Sequence, residues 1–309
     1  MNLFMSTLNQ IIFLFGFIII GYILAKIKVL PETSATVLSR LENNVFIPAL
    51  VAGTFIENFT VERIGSASGL LGISFLIGLI VIPFAILVSN LITKDNYIRK
   101  IYTYGLSFSN FGFMGNAVVM NLFPDIFFEY LIFTLPLWTL IYLWGVPRLL
   151  MADAEKKQTF KESLKSFINP MFIAMILGMI IGLLKINLPS WLVSLINTSG
   201  DCMSPVAMIL TGVVVSNISF KKTFSDIRTY IVALVRLIVI PAIFILIAKL
   251  FIIPENVYIC ALCSLAMPLG LNTIVIPSAY GKDTSVAAAM AVISHLFAVI
   301  TIPVIFSMI

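Results

Sequence analysis

The sequence predicts an all-α polytopic membrane protein. Ten transmembrane helices are expected as a 5+5 inverted-topology repeat, with broken fourth and ninth helices that cross. Three observations predict this. Hydrophobic residues make up 60% of the 309 residues and charged residues only 11%, against about 25% charged in a soluble domain; mean hydropathy is +1.10. The apolar residues fall in long runs nearly free of charge, of the length that crosses a bilayer as a helix, about 20 residues. The word LIVIP occurs at 79–83 and again at 237–241, and other residues keep nearly the same spacing.

Backbone groups in hydrocarbon must be satisfied within their own segment, so each run is read as a helix. The clear spans are 8–25, 66–92, 101–123, 130–147, a stretch within 166–184, 229–252, 256–280 and 284–309; only Arg236 and Lys249 interrupt 229–252. Two weaker spans, 35–56 and 191–216, carry polar residues part-way along. No Lys or Arg precedes Leu8 and no small-residue cleavage site follows the first apolar run, so that run is read as a retained helix. Cys202, Cys260 and Cys263 lie in apolar stretches without zinc-site spacing, as small core residues would.

Ten spans put both termini on one side. Of the 19 Lys and Arg, fifteen fall in the loops after spans 1, 3, 5, 7 and 9; Arg63, Lys185 and Lys249 lie on the other side, and Arg236 is inside a span. The positive-inside rule makes the first set cytoplasmic and both termini extracytoplasmic. The same bias accounts for a pI near 9.1 with a lipid bilayer, and no nucleic acid, as partner. The polar stretch 151–165 reads as a cytoplasmic linker between two repeats, 1–150 and 166–309.

At an offset of 156 to 158 residues, Gly21 meets Gly178, Lys28 meets Lys185, Pro48 meets Pro205 and Asn116 meets Asn272. The matches are collinear, as in a tandem duplication. Five spans is an odd number, so the second copy enters the membrane from the opposite side, an architecture that recurs in secondary transporters.

Spans 4 and 9 hold the candidate site. Gly112, Gly115 and Asn116 lie at mid-depth in the first, and Pro268, Gly270 and Asn272 in the second. Proline removes a backbone donor, and such clusters at the midplane predict broken helices lining a cavity. A break exposes a half-helix N-terminus with a partial positive charge, suited to a carboxylate. The same residues also serve plain close packing of helices. In spans 2 and 7, Asn44 aligns with Asp201, beside Asn43. Asp201 is about eleven residues into its span, about 16 Å deep, where a carboxylate is costly and reads as functional. It either binds a coupling H+ or Na+ or makes a structural hydrogen bond. Arg236 is read as snorkelling to the cytoplasmic headgroups or as a counter-charge. His295, the only histidine, is read as a structural hydrogen-bonding group or a proton relay. No nucleophile–base motif, metal-ligand cluster, P-loop or Rossmann glycine pattern is present, which argues against an enzyme or a pump and for no cofactor.

The stretches SNFGFMGNAV in span 4 and MPLGLNTIVIPSAYGKD in span 9, with LPETSATVLSRLENNVFIPAL and ISHLFAVITIPVI, resemble the auxin efflux carrier family, which includes plant PIN exporters and bacterial organic-acid permeases. The resemblance runs over essentially the whole chain. It implies crossing broken helices at the substrate site, with Asn110 and Pro268 as the family's span-4 asparagine and span-9 proline. It also implies ATP-independent transport of small carboxylates and is compatible with a homodimer. The family often carries proline where this chain has Asn116-Ala117, so a gentler break is expected in span 4. The function expected is a secondary transporter of small organic anions in the plasma membrane. The rivals are a sodium-coupled symporter of the bile-acid type, for which more carboxylate or Gln is expected at the crossing, and a non-transporting membrane sensor.

Overall fold

The computed structural model describes residues 3–31, 33–151, 164–165, 167–216, 225–251, 253–279 and 282–309. Among these it is all-helical, apart from one isolated bridge between two broken helices. The helices are α1 (Leu3–Lys26), α2 (Ser34–Leu41), α3 (Ile47–Asn58), α4 (Val61–Ile92), α5 (Asn96–Ser107), α6 (Asn116–Leu122), α7 (Phe127–Leu140), α8 (Pro170–Leu183), α9 (Ser190–Asp201), α10 (Met203–Ser216), α11 (Ile227–Leu234), α12 (Ile240–Ala248), α13 (Glu255–Leu265), α14 (Asn272–Ala279) and α15 (Ser285–Phe306). π-Helical segments at Glu42–Phe46, Phe111–Gly115, Ile141–Leu150 and Val235–Val239 join or extend them. Most of the 151–165 linker falls outside the described residues.

Helical structure lies in each expected span and overruns several, but it is interrupted within 101–123 and 256–280, and in 229–252 it ends at Ala248. The expected 101–123 begins at Asn96 and the expected 130–147 at Pro124. The charge-free run marks what sits in hydrocarbon, whereas the helix continues to its cap. Thr60, Asp95, Asn169 and Asp226 each accept a hydrogen bond from a backbone N–H two or three residues on, which satisfies donors that helix starts leave open. Hydrogen bonds from Arg228 hold the Asp226 carboxyl below its ordinary range.

Six helices among the described residues are long and apolar enough to cross a membrane: Leu3–Lys26, Val61–Ile92, Pro124–Leu150, Ser190–Ser216, Ile227–Ala248 and Ser285–Phe306. Their outer faces carry large apolar side chains, such as Ile12, Phe13, Ile19 and Ile23 on α1 and Phe75, Leu76, Ile80 and Leu87 on α4. Polar groups are instead inside: Ser109, Asn110, Arg236, Ser264, Thr273 and His295 are all buried. An apolar exterior around a polar interior suits lipid as the solvent.

Two packing groups position the site. In one, α1 lies along α10 and α3 along α8, with α9 against α3. Both pairings are made close by glycine. A Cβ on Gly21 would collide with the Ile209 carbonyl, and one on Gly212 would lie 2.7 Å from the Tyr22 nitrogen. A Cβ on Gly178 would lie 2.9 Å from Phe55 Cβ, and one on Gly182 2.8 Å from the Phe55 oxygen. In the other group, α4 packs on α5 and α7, α13 on α7, and α11 on α15. Helix α1 also touches α15, joining the two. Cys260 and Cys263 are buried in α13, and Cys202 is half-buried between α9 and α10.

Gly212→Val should cost about 1–3 kcal/mol or more from overpacking against backbone that cannot move aside. Gly16→Ala, where an added Cβ meets nothing within 4 Å, should be neutral or gain about 0.5–1 kcal/mol. Thermal unfolding in detergent separates the two, and equal melting points would refute this packing.

Candidate functional site: two broken helices on one arginine

The crossing is built by displaced backbone hydrogen bonds. Helix α5 ends at Ser107, and helical structure resumes at Phe111. Helix α13 ends at Leu265, and α14 starts at Asn272. The two breaks lie antiparallel, with a bridge between Ser109 and Leu269. The Asn110 N–H, which a continuous helix would give to the Leu106 carbonyl, donates instead to the Pro268 carbonyl at 2.7 Å. Pro268 has no N–H, so a continued α13 could not have satisfied the Ser264 carbonyl. That oxygen accepts from Ser109 Oγ at 2.6 Å and from Arg236 at 3.2 Å. A Cβ on Gly270 would lie 3.2 Å from the Ser109 oxygen, so a bare backbone is what lets the chains approach this closely.

Arg236 completes the arrangement. Its guanidinium, only 1% exposed, donates to Leu106 O at 2.9 Å, Ser264 O at 3.2 Å and Met267 O at 3.4 Å. These carbonyls lie at or just past the C-terminal ends of α5 and α13. Each helix C-terminus carries roughly half a negative charge, so the cation sits where two such ends meet. The π segment Val235–Val239 shifts helical phase and carries the arginine; such bulges often mark functional sites. Snorkelling is therefore not what Arg236 does: its head points into the bundle.

A small pocket, about 20 Å³, opens beside the breaks, lined by Tyr104, Ser109–Phe113, Trp138, Ile141 and Gly270–Asn272. Four of the expected substrate residues are in this wall: Asn110, Gly112, Gly270 and Asn272. Asn272 Nδ2 donates to Tyr104 OH at 3.2 Å. Asn110 Nδ2 is 3.3 Å from His295 Nε2, and His295 Nδ1 is 2.7 Å from the Ala291 carbonyl. A carbonyl only accepts, so Nδ1 carries the proton and Nε2 accepts from the amide. His295 thus orients Asn110 from behind the wall. A Cβ on Gly112 would press on the Trp138 ring at 2.5 Å, and one on Gly115 would strike Tyr130 OH, which donates to the Phe111 carbonyl at 3.0 Å.

The other expected residues lie elsewhere. Pro268 supplies a carbonyl and stands outside the wall, as do Gly115 and Asn116. Asn116 is buried in the helix beyond the break, and the break at 108–110 precedes it, so the residue does not set how sharp the break is. Asn43, Asn44 and Asp201 are exposed on the other packing group, and each asparagine amide donates to a carbonyl of its own helix, Ser39 O and Arg40 O. Tyr104, Trp138 and Ile141 were not expected. Tyr104 opens the span-4 stretch ahead of Gly105, whereas Trp138 and Ile141 come from another span, and nothing in the local sequence marks any of the three.

Half-helices that break inside an apolar-walled bundle and meet beside a small pocket define the class: a multi-pass membrane protein with a crossing of broken helices in its interior. The chain belongs to the membrane transport protein family, that of the auxin efflux carriers, whose family model matches residues 6–306. Members of that family are transporters, and this chain is a membrane transporter of the auxin efflux type. Comparison with curated proteins gives no match.

Arg236→Met leaves the Leu106 and Met267 carbonyls without this donor, while the Ser264 carbonyl keeps Ser109 Oγ, and should cost about 2 kcal/mol or more, given ~1–3 kcal/mol per unsatisfied group. Arg236→Lys keeps the charge but lacks the planar fork, so it should fall between. Unfolding of Arg236→Met at the native temperature would remove the clamp from the argument.

Proposed function

We propose that this chain is a secondary transporter of small organic anions, carboxylates in particular, working by alternating access in the plasma membrane. One observation carries the reading. The pocket is bounded by the first turns of two half-helices, at Phe111–Phe113 and Leu271–Asn272, while the opposite ends of the broken helices rest on Arg236. The first N–H groups of a helix have no acceptor within it, and the dipole makes that end positive. Positive ends facing a cavity, with their negative counterparts neutralised nearby, favour an anion. The Asn110 and Asn272 amides add orienting hydrogen bonds, and Tyr104, Phe111 and Trp138 supply apolar walls for a carbon skeleton.

The ten-span inverted repeat belongs to this proposal. Its support is the pairing of α1 with α10 against that of α8 with α3, each through glycine. Lys28 and Lys185, matched by the repeat offset, are also the non-glycine residues with positive φ among those described, at 61° and 49°. Two inverted copies can pack in two nearly equivalent ways, one open to each side. In a negative-inside cell an exported anion gains about 2.3 kcal/mol per charge per 100 mV.

Uptake of a panel of mono- and dicarboxylates into proteoliposomes, with pH, Na+ and voltage varied separately, tests the function. Asn110→Leu and Asn272→Leu should each weaken the transported substrate by about 1–3 kcal/mol, whereas Asn116→Leu should leave it nearly unchanged. Full affinity in both wall variants would move the site elsewhere. For sidedness, Gln158→Cys in a cysteine-free background should resist impermeant thiol reagents added outside intact cells; ready labelling would reverse the topology.

A further inference from the structure

The pocket makes no use of Glu42. This residue opens the π segment Glu42–Phe46 between α2 and α3. It is 0% exposed, and neither carboxyl oxygen has a hydrogen-bond partner. Its neighbours in sequence, Asn43 and Asn44, turn outward. Eight residues past the start of α2, it lies about 12 Å along the helix. Pro48 follows and has no N–H to give the ladder, and the segment is wound as a π-helix, with the Ile47 N–H bonded to the Glu42 carbonyl. The backbone beside Glu42 is thus a weak point in an otherwise continuous helix.

Among the described residues, the packing around Glu42 offers it no counter-charge. The segments against Glu42–Phe46 are α2, α3, α8, α9 and α10. Their charged or titratable groups are Arg40, exposed on α2; Glu57, exposed near the far end of α3 and within 3.4 Å of Asn197; and Asp201, exposed at the end of α9. Cys202 lies between α9 and α10, while α8 and α10 themselves carry none. An ionised carboxylate in such surroundings is prohibitively costly, so the group is neutral here. Even the neutral acid leaves a donor unpaired, which an apolar side chain of similar volume would avoid. A position that weakens its own bundle is a functional candidate.

We propose that Glu42 is a proton-binding site, occupied in this conformation, whose proton is exchanged with water during the transport cycle. The step is a simple dissociation: the carboxylic O–H breaks, the electron pair stays on oxygen, and the proton passes to water reaching the weak point at Glu42–Phe46. Reprotonation restores the dry state. The exchange half of the proposal rests on the reading of the chain as an anion transporter; the protonation half does not.

The test uses the full chain in lipid. Infrared spectra at neutral pH should show the carbonyl stretch of a protonated carboxylic acid, missing from Glu42→Gln. In proteoliposomes, the carboxylate with the highest flux should move several-fold faster down an imposed pH gradient in the native protein. Glu42→Gln should still exchange it, without that acceleration. Glu42→Met should melt higher than the native chain, and it supplies a second spectrum should the glutamine variant fold poorly. Absence of the acid band overturns the site. Indifference of native flux to the pH gradient, or full acceleration in Glu42→Gln, overturns the exchange. If no carboxylate moves at all, the transport reading fails, and with it the exchange; the infrared comparison still decides whether Glu42 holds a proton.

Discussion

A guanidinium held among three carbonyls is the constraint on which the crossing depends. Hydrocarbon offers no water to a broken helix, so each freed peptide group needs a protein partner. Breaking α5 and α13 frees carbonyls at both ends, and Arg236 answers one from the first and two from the second. A lysine presents a compact ammonium, whereas the planar fork of arginine can address several acceptors at once. Charge follows the same geometry. Two C-termini of roughly half a negative charge each balance one cation. The crossing is then close to neutral on its arginine side and positive on its pocket side.

Two of the freed N–H groups are satisfied across the crossing and by α15. Asn110 donates across to Pro268, and the Leu269 N–H donates to Ser294 Oγ at 3.2 Å. Ser294 and His295 are successive residues of α15, so one helix steadies both breaks, the first through Asn110 and the second through Leu269. Rigid positioning of the pocket wall thus comes from α15 and from the π segment before α12, neither of which lines the pocket. A displacement of either would reach both half-helices together.

Much of this was legible in the sequence, for a simple reason. Lipid forces long apolar runs, and proline with glycine in such a run has few uses, so the helices and the two breaks could be read directly. Asn272 followed from lying at its break; Asn110 came through the family resemblance, and Asn116, read at the same break, lies outside the pocket wall. What stayed hidden depends on helical phase. Glu42, Asn43 and Asn44 are consecutive, and each step along a helix turns the side chain by about 100°. Composition cannot say which of the three faces inward, and a π segment alters the count again. The repeat alignment favoured Asn44 and Asp201 because they matched each other; both face outward. Arg236 was read by its depth, which allowed snorkelling, and only its direction excludes it. Tyr104 and Trp138 reach the pocket through tertiary packing, which no local pattern encodes.

The two copies of LIVIP show where near-symmetry ends. At the offset that aligns them, Arg236 corresponds to Gly78. In the first copy, Pro83 lies within the uninterrupted α4, and a Cβ on Gly78 would lie 2.6 Å from Leu140. In the second, the helix carries a π segment before Pro241 and an arginine inside it. One copy therefore packs a helix tightly where the other inserts a charge. A second arginine at position 78 would have to displace Leu140. A single one already caps both half-helices, because the antiparallel breaks bring their C-terminal ends to the same place. The geometry of the crossing thus accounts for a cation beside one LIVIP and none beside the other: once two like ends meet, one charge serves both.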